Sequence, residues 1–333
     1  MENNMLQGVK KHFSKVGLRY FIGVLIIFAS QIIISGICTA IWPQILEDYN
    51  LYFLSMMMPM YIIAMPIMIY LIQRVPAESI VEKKKMKFSH GLAAFLMCYA
   101  GTIVTNLVGL GITSVVGVLK QGQVNNVMAN IATSINPVVA ILITVICAPI
   151  AEELLFRKLL IDRTAKYGEG TAIVLSGFMF GLFHGNLNQF VYAFFLGVFF
   201  GFIYVKTRNV LHAIFLHMAV NFVGTVAAPL VLDISGYNEI AEATMNGATE
   251  AEIMAISMEN AVGMLLLGLF GIVIFGMIIA GLILFIVNRK KFTLSQGEVV
   301  IPKGKRFSTV ILNLGMILYC VFWIVQIIIQ LLA

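Results

Sequence analysis

Three short groups of polar residues lie inside apolar runs, where a charge is costly. They are Pro149-Ile150-Ala151-Glu152-Glu153-Leu154-Leu155-Phe156-Arg157, Phe180-Gly181-Leu182-Phe183-His184 and His217-Met218-Ala219-Val220-Asn221. An ionisable side chain in hydrocarbon is a functional expectation by default, because its burial must be offset. On a helix Glu153 and Arg157 share one face in the favourable acid-before-base order, so they can pair. Glu152 is turned by about 100° from Glu153, so it faces elsewhere and lacks that partner. Adjacent carboxylates in a low dielectric do not both ionise freely, and unequal environments suit one of them to acid/base work. Pro149 removes a helical hydrogen bond and loosens the backbone where water could enter. His217 and Asn221, one turn apart, could direct two donors at an oxyanion or a water.

A carboxylate and an imidazole together can bind and deprotonate water, and a His/Asn pair can stabilise the oxyanion that follows. These are the parts for hydrolysing an amide. Taken singly, each group has a plainer reading: an ion-pair knot at Glu153 and Arg157, a structural hydrogen bond at His184, interhelical glue at His217 and Asn221. No GxSxG elbow, no Cys beside the histidines and no HExxH occurs. Glu152, His184 and His217 could still hold zinc with an open water position, so residue types leave metal-activated and Glu/His-activated water both open.

The elements that carry these groups must cross a membrane. Hydrophobic residues are 60% of the 333 and charged residues only 11%, too few to solvate a water-soluble surface. The same balance excludes disorder. The net charge of +6 is scattered between apolar runs, which argues against nucleic-acid binding. Runs near 20–42, 51–73, 89–119, 135–163, 171–187, 189–205, 210–232, 261–288 and 307–332 predict an all-α, polytopic transmembrane bundle of about eight to nine spans. The fifth and sixth runs are short and separated by Asn186-Leu187-Asn188-Gln189. The chain divides into N-terminal helices (1–134), a core with all the buried charge (135–232), and an acidic outer loop with C-terminal helices (233–333).

With a cytoplasmic N-terminus, Lys10 to Arg19, Arg74 to Lys87, Lys158 to Lys166, Lys206, Arg208 and Arg289 to Arg306 fall inside and only Lys120 outside, as the positive-inside rule requires. The basic stretch before the first run lacks a cleavage site, so that run reads as an uncleaved span. The outer 233–260 segment reads as a solvated acidic cap with a short amphipathic helix, and 292–306 as an irregular connector. Gly177 and Gly181 facing Gly197 and Gly201 predict close approach of the fifth and sixth helices. The four cysteines read as small buried hydrophobes. His12, His90 and His212 fall near interfaces. At the helical rise, Glu152 lies about 16 Å, His184 about 20 Å and His217 about 10 Å from the inner ends of their helices. Similar depth on separate helices points to one convergent site.

In this order and context, Glu152-Glu153-x-x-x-Arg157, Phe180-x-x-x-His184 and His217-x-x-x-Asn221 resemble the CPBP intramembrane proteases. That family includes type II CAAX prenyl endopeptidases and bacteriocin-processing or self-immunity proteins. Pro149, Phe156, Ser176 and Gly181 agree with it, over roughly 135–225. The resemblance implies Glu152 as the base on water with His184 as its partner, Glu153 and Arg157 positioning the site, and His217 with Asn221 at the oxyanion. Lys158 departs from the pattern, standing where many members have Gly. The implied setting is a bacterial cell membrane, with a peptide or membrane-protein substrate reached from the cytoplasm or from lipid. A non-catalytic immunity or regulatory protein with a membrane partner is the alternative. A coupled transporter would need an inverted repeat, which the sequence lacks.

Overall fold

The computed structural model describes residues 2–77, 82–122, 124 and 135–332. The helices are α1 (Glu2–Ile41), α2 (Tyr49–Gln73), α3 (Phe88–Leu119), α4 (Pro137–Tyr167), α5 (Glu169–Phe183), α6 (Leu187–Thr207), α7 (Val210–Ile234), α8 (Tyr237–Met245), α9 (Glu250–Glu259), α10 (Ala261–Lys291) and α11 (Leu314–Leu332). Eight of these are long and apolar enough to cross a bilayer, so this is an integral, all-α membrane protein. The fifth expected run is the exception: α5 has 15 residues. At ~1.5 Å per residue it reaches about 22 Å, short of the hydrocarbon thickness. It folds back as a hairpin with α6, whose far end is tied to the start of α5 by Lys206 Nζ and Glu169 Oε2 at 2.9 Å.

The expected glycine contact holds that hairpin together. A Cβ on Gly197 would lie 2.5 Å from Gly177 Cα, and one on Gly181 3.0 Å from the Phe190 carbonyl. Without side chains at these points the backbones approach closely, which is how helices gain dispersion contact in lipid. A second tight seam joins α1 to α11, where a Cβ on Gly315 would strike Ser14.

Several helices are widened into π turns: 60–64 in α2, 141–147 and 154–159 in α4, and 223–227 in α7. Three of these end two residues before a proline, namely Pro66, Pro149 and Pro229. Proline has no N–H and its ring crowds the carbonyl one turn back, so a wider turn relieves the clash. Carbonyls in the α4 π turns are taken up by other helices. Asn221 Nδ2 donates to Thr144 O (2.8 Å), Ser176 Oγ to Phe156 O (2.7 Å) and Tyr20 Oη to Leu155 O (2.6 Å). These bonds pin α7, α5 and α1 around the short α-helical stretch Ala148–Glu153.

The acidic 233–260 segment forms two short helices, α8 and α9, rather than one, because Gly247 turns the chain at φ +79°. The 292–306 connector is tied down at the α4–α5 corner: Val299 N donates to Lys166 O (3.0 Å) and Glu169 N to Ser295 O (3.2 Å). All four cysteines are free.

Candidate active site

The carboxylates of Ala148–Glu153 divide between two environments. Glu153 is wholly buried, and its Oε2 pairs with Arg157 Nε at 2.8 Å. Its Oε1 accepts from His217 Nδ1–H at 2.9 Å. The same imidazole turns Nε2 toward Glu152 Oε2, 3.9 Å away. Glu152 therefore does not face away from this network, as its rotation along the helix predicts. A single ring from α7 sits against both carboxylates, Glu153 behind it and Glu152 at its open edge.

Arg157 is also fully buried, and among the described residues its Nη atoms meet no hydrogen-bond acceptor. Its guanidinium instead lies 4.4 Å from the centre of the Phe180 ring and 5.7 Å from that of Phe200. The ring faces attract the cation where water is absent. Phe180 also meets His184 edge-on at 4.8 Å and His217 at 5.9 Å, so one aromatic side chain braces the cation and both imidazoles.

Hydrogen-bond partners settle which nitrogen of each histidine carries a proton. His184 Nδ1 lies 2.9 Å from the Phe180 carbonyl, which can only accept. Nδ1–H therefore donates, and the neutral ring presents an Nε2 lone pair. His217 Nδ1–H is likewise directed at the Arg157-paired carboxylate of Glu153.

Glu152, His184, His217 and Asn221 line one cavity of about 230 Å³ between α2, α4, α5, α6 and α7. The sequence-predicted residues are thus brought together, with Glu153 and Arg157 directly behind. Leu155, Phe156, Arg157, Phe180 and Phe200 are all fully buried, and of these Phe180 lines the cavity. Toward the acidic end, Thr225 is shared with a second cavity of about 400 Å³ that Asp233 and Asn238 also line. Lys158 points away and pairs with Asp162 at 2.5 Å, so the departure at this position does not alter the cavity.

Sequence reasoning missed further polar lining: Tyr61, Thr144, Gln189, Tyr192 and Thr225. For α6 a signal exists. Asn186 caps the helix by accepting from Gln189 N (2.8 Å), and its Nδ2 donates to Gln189 Oε1 (2.5 Å), a reciprocal pairing of N-cap and third residue. Gln189 Nε2 in turn donates to Tyr192 Oη (2.9 Å).

The donor types at Glu152, His184 and His217 suit a zinc-like ion, with each Nδ1–H anchored as ligating histidines usually are. Their placement does not. Among the described residues no three His, Cys, Asp or Glu side chains come together as a ligand set.

No match is found among curated proteins or solved structures. Residues 134–223 match the family model described as type II CAAX prenyl endopeptidase Rce1-like, a block that contains all seven residues named in the three motifs. Through this block, which spans 90 of the 333 residues, the chain is similar to the type II CAAX prenyl endopeptidases.

Proposed function

We propose that this protein is an intramembrane endopeptidase in which Glu152 and His184 activate a water for attack on a peptide bond. The observation that carries the reading is the lock on His184: with Nδ1–H held by the Phe180 carbonyl, its Nε2 is an acceptor on the cavity that Glu152 lines. Two acceptors can hold a water by its hydrogens and leave an oxygen lone pair free to attack. As the water oxygen bonds to the carbonyl carbon, its proton passes to Glu152 and the C=O pair moves onto oxygen. Asn221 has one amide hydrogen committed to Thr144, and the other is free to bind that oxyanion. Collapse re-forms the C=O and breaks C–N, and the Glu152 proton goes to the departing amine. Glu153 and Arg157 set the orientation of His217, whose Nε2 lies 3.9 Å from Glu152 Oε2. Glu152 is the only formally charged residue among those lining the cavity, which favours an apolar peptide segment as substrate. The clustering of basic residues at one end of the bundle supports a cytoplasmic N-terminus.

The test is incubation of purified wild-type and Glu152→Ala protein with a peptide library, with and without a chelator. Wild-type protein should cleave, and the variant should lose roughly 10²–10⁴-fold in rate at equal abundance. Retained cleavage would remove Glu152 as the base. Collapse of the wild-type rate under chelator would transfer water activation to a metal ion.

A further inference from the structure

The helix face that carries His217 and Asn221 ends on a carboxylate. His217, Asn221, Thr225, Pro229 and Asp233 follow one another at four-residue steps on α7, a spacing that keeps side chains on one face. The first three line the cavity of Glu152, and the last three line the second cavity of about 400 Å³, so Thr225 joins the two. Its hydroxyl is bonded to Asn221 O (2.7 Å) and Thr144 Oγ1 (2.8 Å). The second cavity is walled mostly by apolar side chains, among them Ile135, Leu230 and Leu232, and Asp233 is the one formally charged residue among those lining it. Among the described residues the Asp233 carboxylate meets no cation and no hydrogen-bond donor. Lys120, the basic residue expected at this end, donates instead to the Leu331 carbonyl at 2.8 Å. Glu239, Glu242 and Glu250 on α8 and α9 add charge of the same sign. An apolar passage from the catalytic cavity thus ends on an uncompensated negative charge.

We propose that the second cavity is a substrate subsite, in which Asp233 docks a lysine or arginine side chain of a peptide whose apolar part reaches Glu152 past Thr225. This deepens the hydrolytic reading above and rests on it for the cleavage readout. Along α7 the rise from Asn221 to Asp233 is about 18 Å, at ~1.5 Å per residue. An extended peptide advances about 3.4 Å per residue, so the basic residue belongs roughly four to six positions from the scissile bond. Asp233 is solvent-exposed, where an ion pair changes affinity by about three- to fivefold, so it selects among substrates without dominating their binding.

The experiment places a single Lys, Gln or Glu at successive positions of an apolar fluorescent peptide. It measures cleavage by the full-length protein and, separately, binding to the Glu152→Ala variant by fluorescence anisotropy. Lys four to six positions to one side of the cleaved bond should raise kcat/KM and affinity about three- to fivefold over Gln, and less so at high salt. Asp233→Asn, added to either protein, should remove that ratio. Asp233→Lys should invert it in favour of Glu, an outcome that misfolding does not produce. Glu242→Gln, at the same end but on neither cavity, should keep the Lys preference. No Lys preference in binding at any position, a preference that survives Asp233→Asn, or an equal loss in Glu242→Gln would overturn the subsite. Asp233-dependent binding without any Glu152-dependent cleavage would overturn the hydrolytic reading and leave the docking of basic peptides standing.

Discussion

Helices α4 and α10 are both 31 residues long, yet they lie in opposite surroundings. The best window of α10 has mean hydropathy 3.0 and is 6% buried, whereas that of α4 has 2.3 and is 44% buried. The more apolar helix is the one left outside. Lipid tails are as apolar as leucine, so hydropathy gives a helix a reason to enter the bilayer but none to leave it for the protein interior. Carboxylates, a guanidinium and freed carbonyls do give such a reason, because only other helices can satisfy them. The bundle is organised around its least lipid-compatible segment.

The sharpest way to break this contrast is to strand a charge in α4. Arg157→Met leaves the Glu153 carboxylate buried with only His217 beside it, and should destabilise the protein by about 3–5 kcal/mol. The double variant Glu153→Gln with Arg157→Met should recover most of that, and Ile272→Met on exposed α10 should shift nothing. Thermal unfolding in one detergent compares all three. If Arg157→Met melts with the wild type, the ion pair does not hold the core.

A smaller effect is expected from close packing. Gly197→Val puts carbon where the α5 backbone lies, and should cost roughly 1–3 kcal/mol. Gly271 on α10 has nothing within 4 Å of a built Cβ, so Gly271→Val should be near neutral in the same assay. Equal losses would show that α10 is packed after all.

The smallest effect lies outside the bilayer, at the start of α9. The Thr249 backbone N–H and then its hydroxyl donate to Glu252, which hold this exposed carboxyl below its usual range. A depressed carboxyl stabilises the cap above the unfolded-state value, and that stabilisation is lost as pH falls through the lowered one. Protection of α9 amides from hydrogen exchange should therefore drop on acidification. Thr249→Ala should move the Glu252 midpoint upward, and an unmoved midpoint would exclude the Thr249 hydroxyl as a cause.

Much of the site was legible because polar residues in apolar runs are few and helical spacing is regular. Glu153 with Arg157 followed from four-residue spacing, and the α5–α6 contact from small residues one turn apart. Pro66, Pro149 and Pro229 mark three of the π turns, since a missing N–H is a local property of the chain. The turn at 154–159 has no such mark. There Tyr20 and Ser176 draw on the Leu155 and Phe156 carbonyls, and neither partner is near in sequence. That Glu152 lies beside the imidazole shared with Glu153 was misread for the same reason. Each depends on what packs alongside.

The sequence by itself determined that this chain crosses a membrane as helices, and which residues are too polar to face lipid. It did so because transfer from water to hydrocarbon depends on side-chain composition and the helical repeat is fixed. Only the tertiary structure decided that one imidazole lies against both carboxylates, and that the Phe180 carbonyl holds His184 Nδ1. Those depend on which atoms from distant segments lie within hydrogen-bonding reach, and spacing along one helix carries no information about the next.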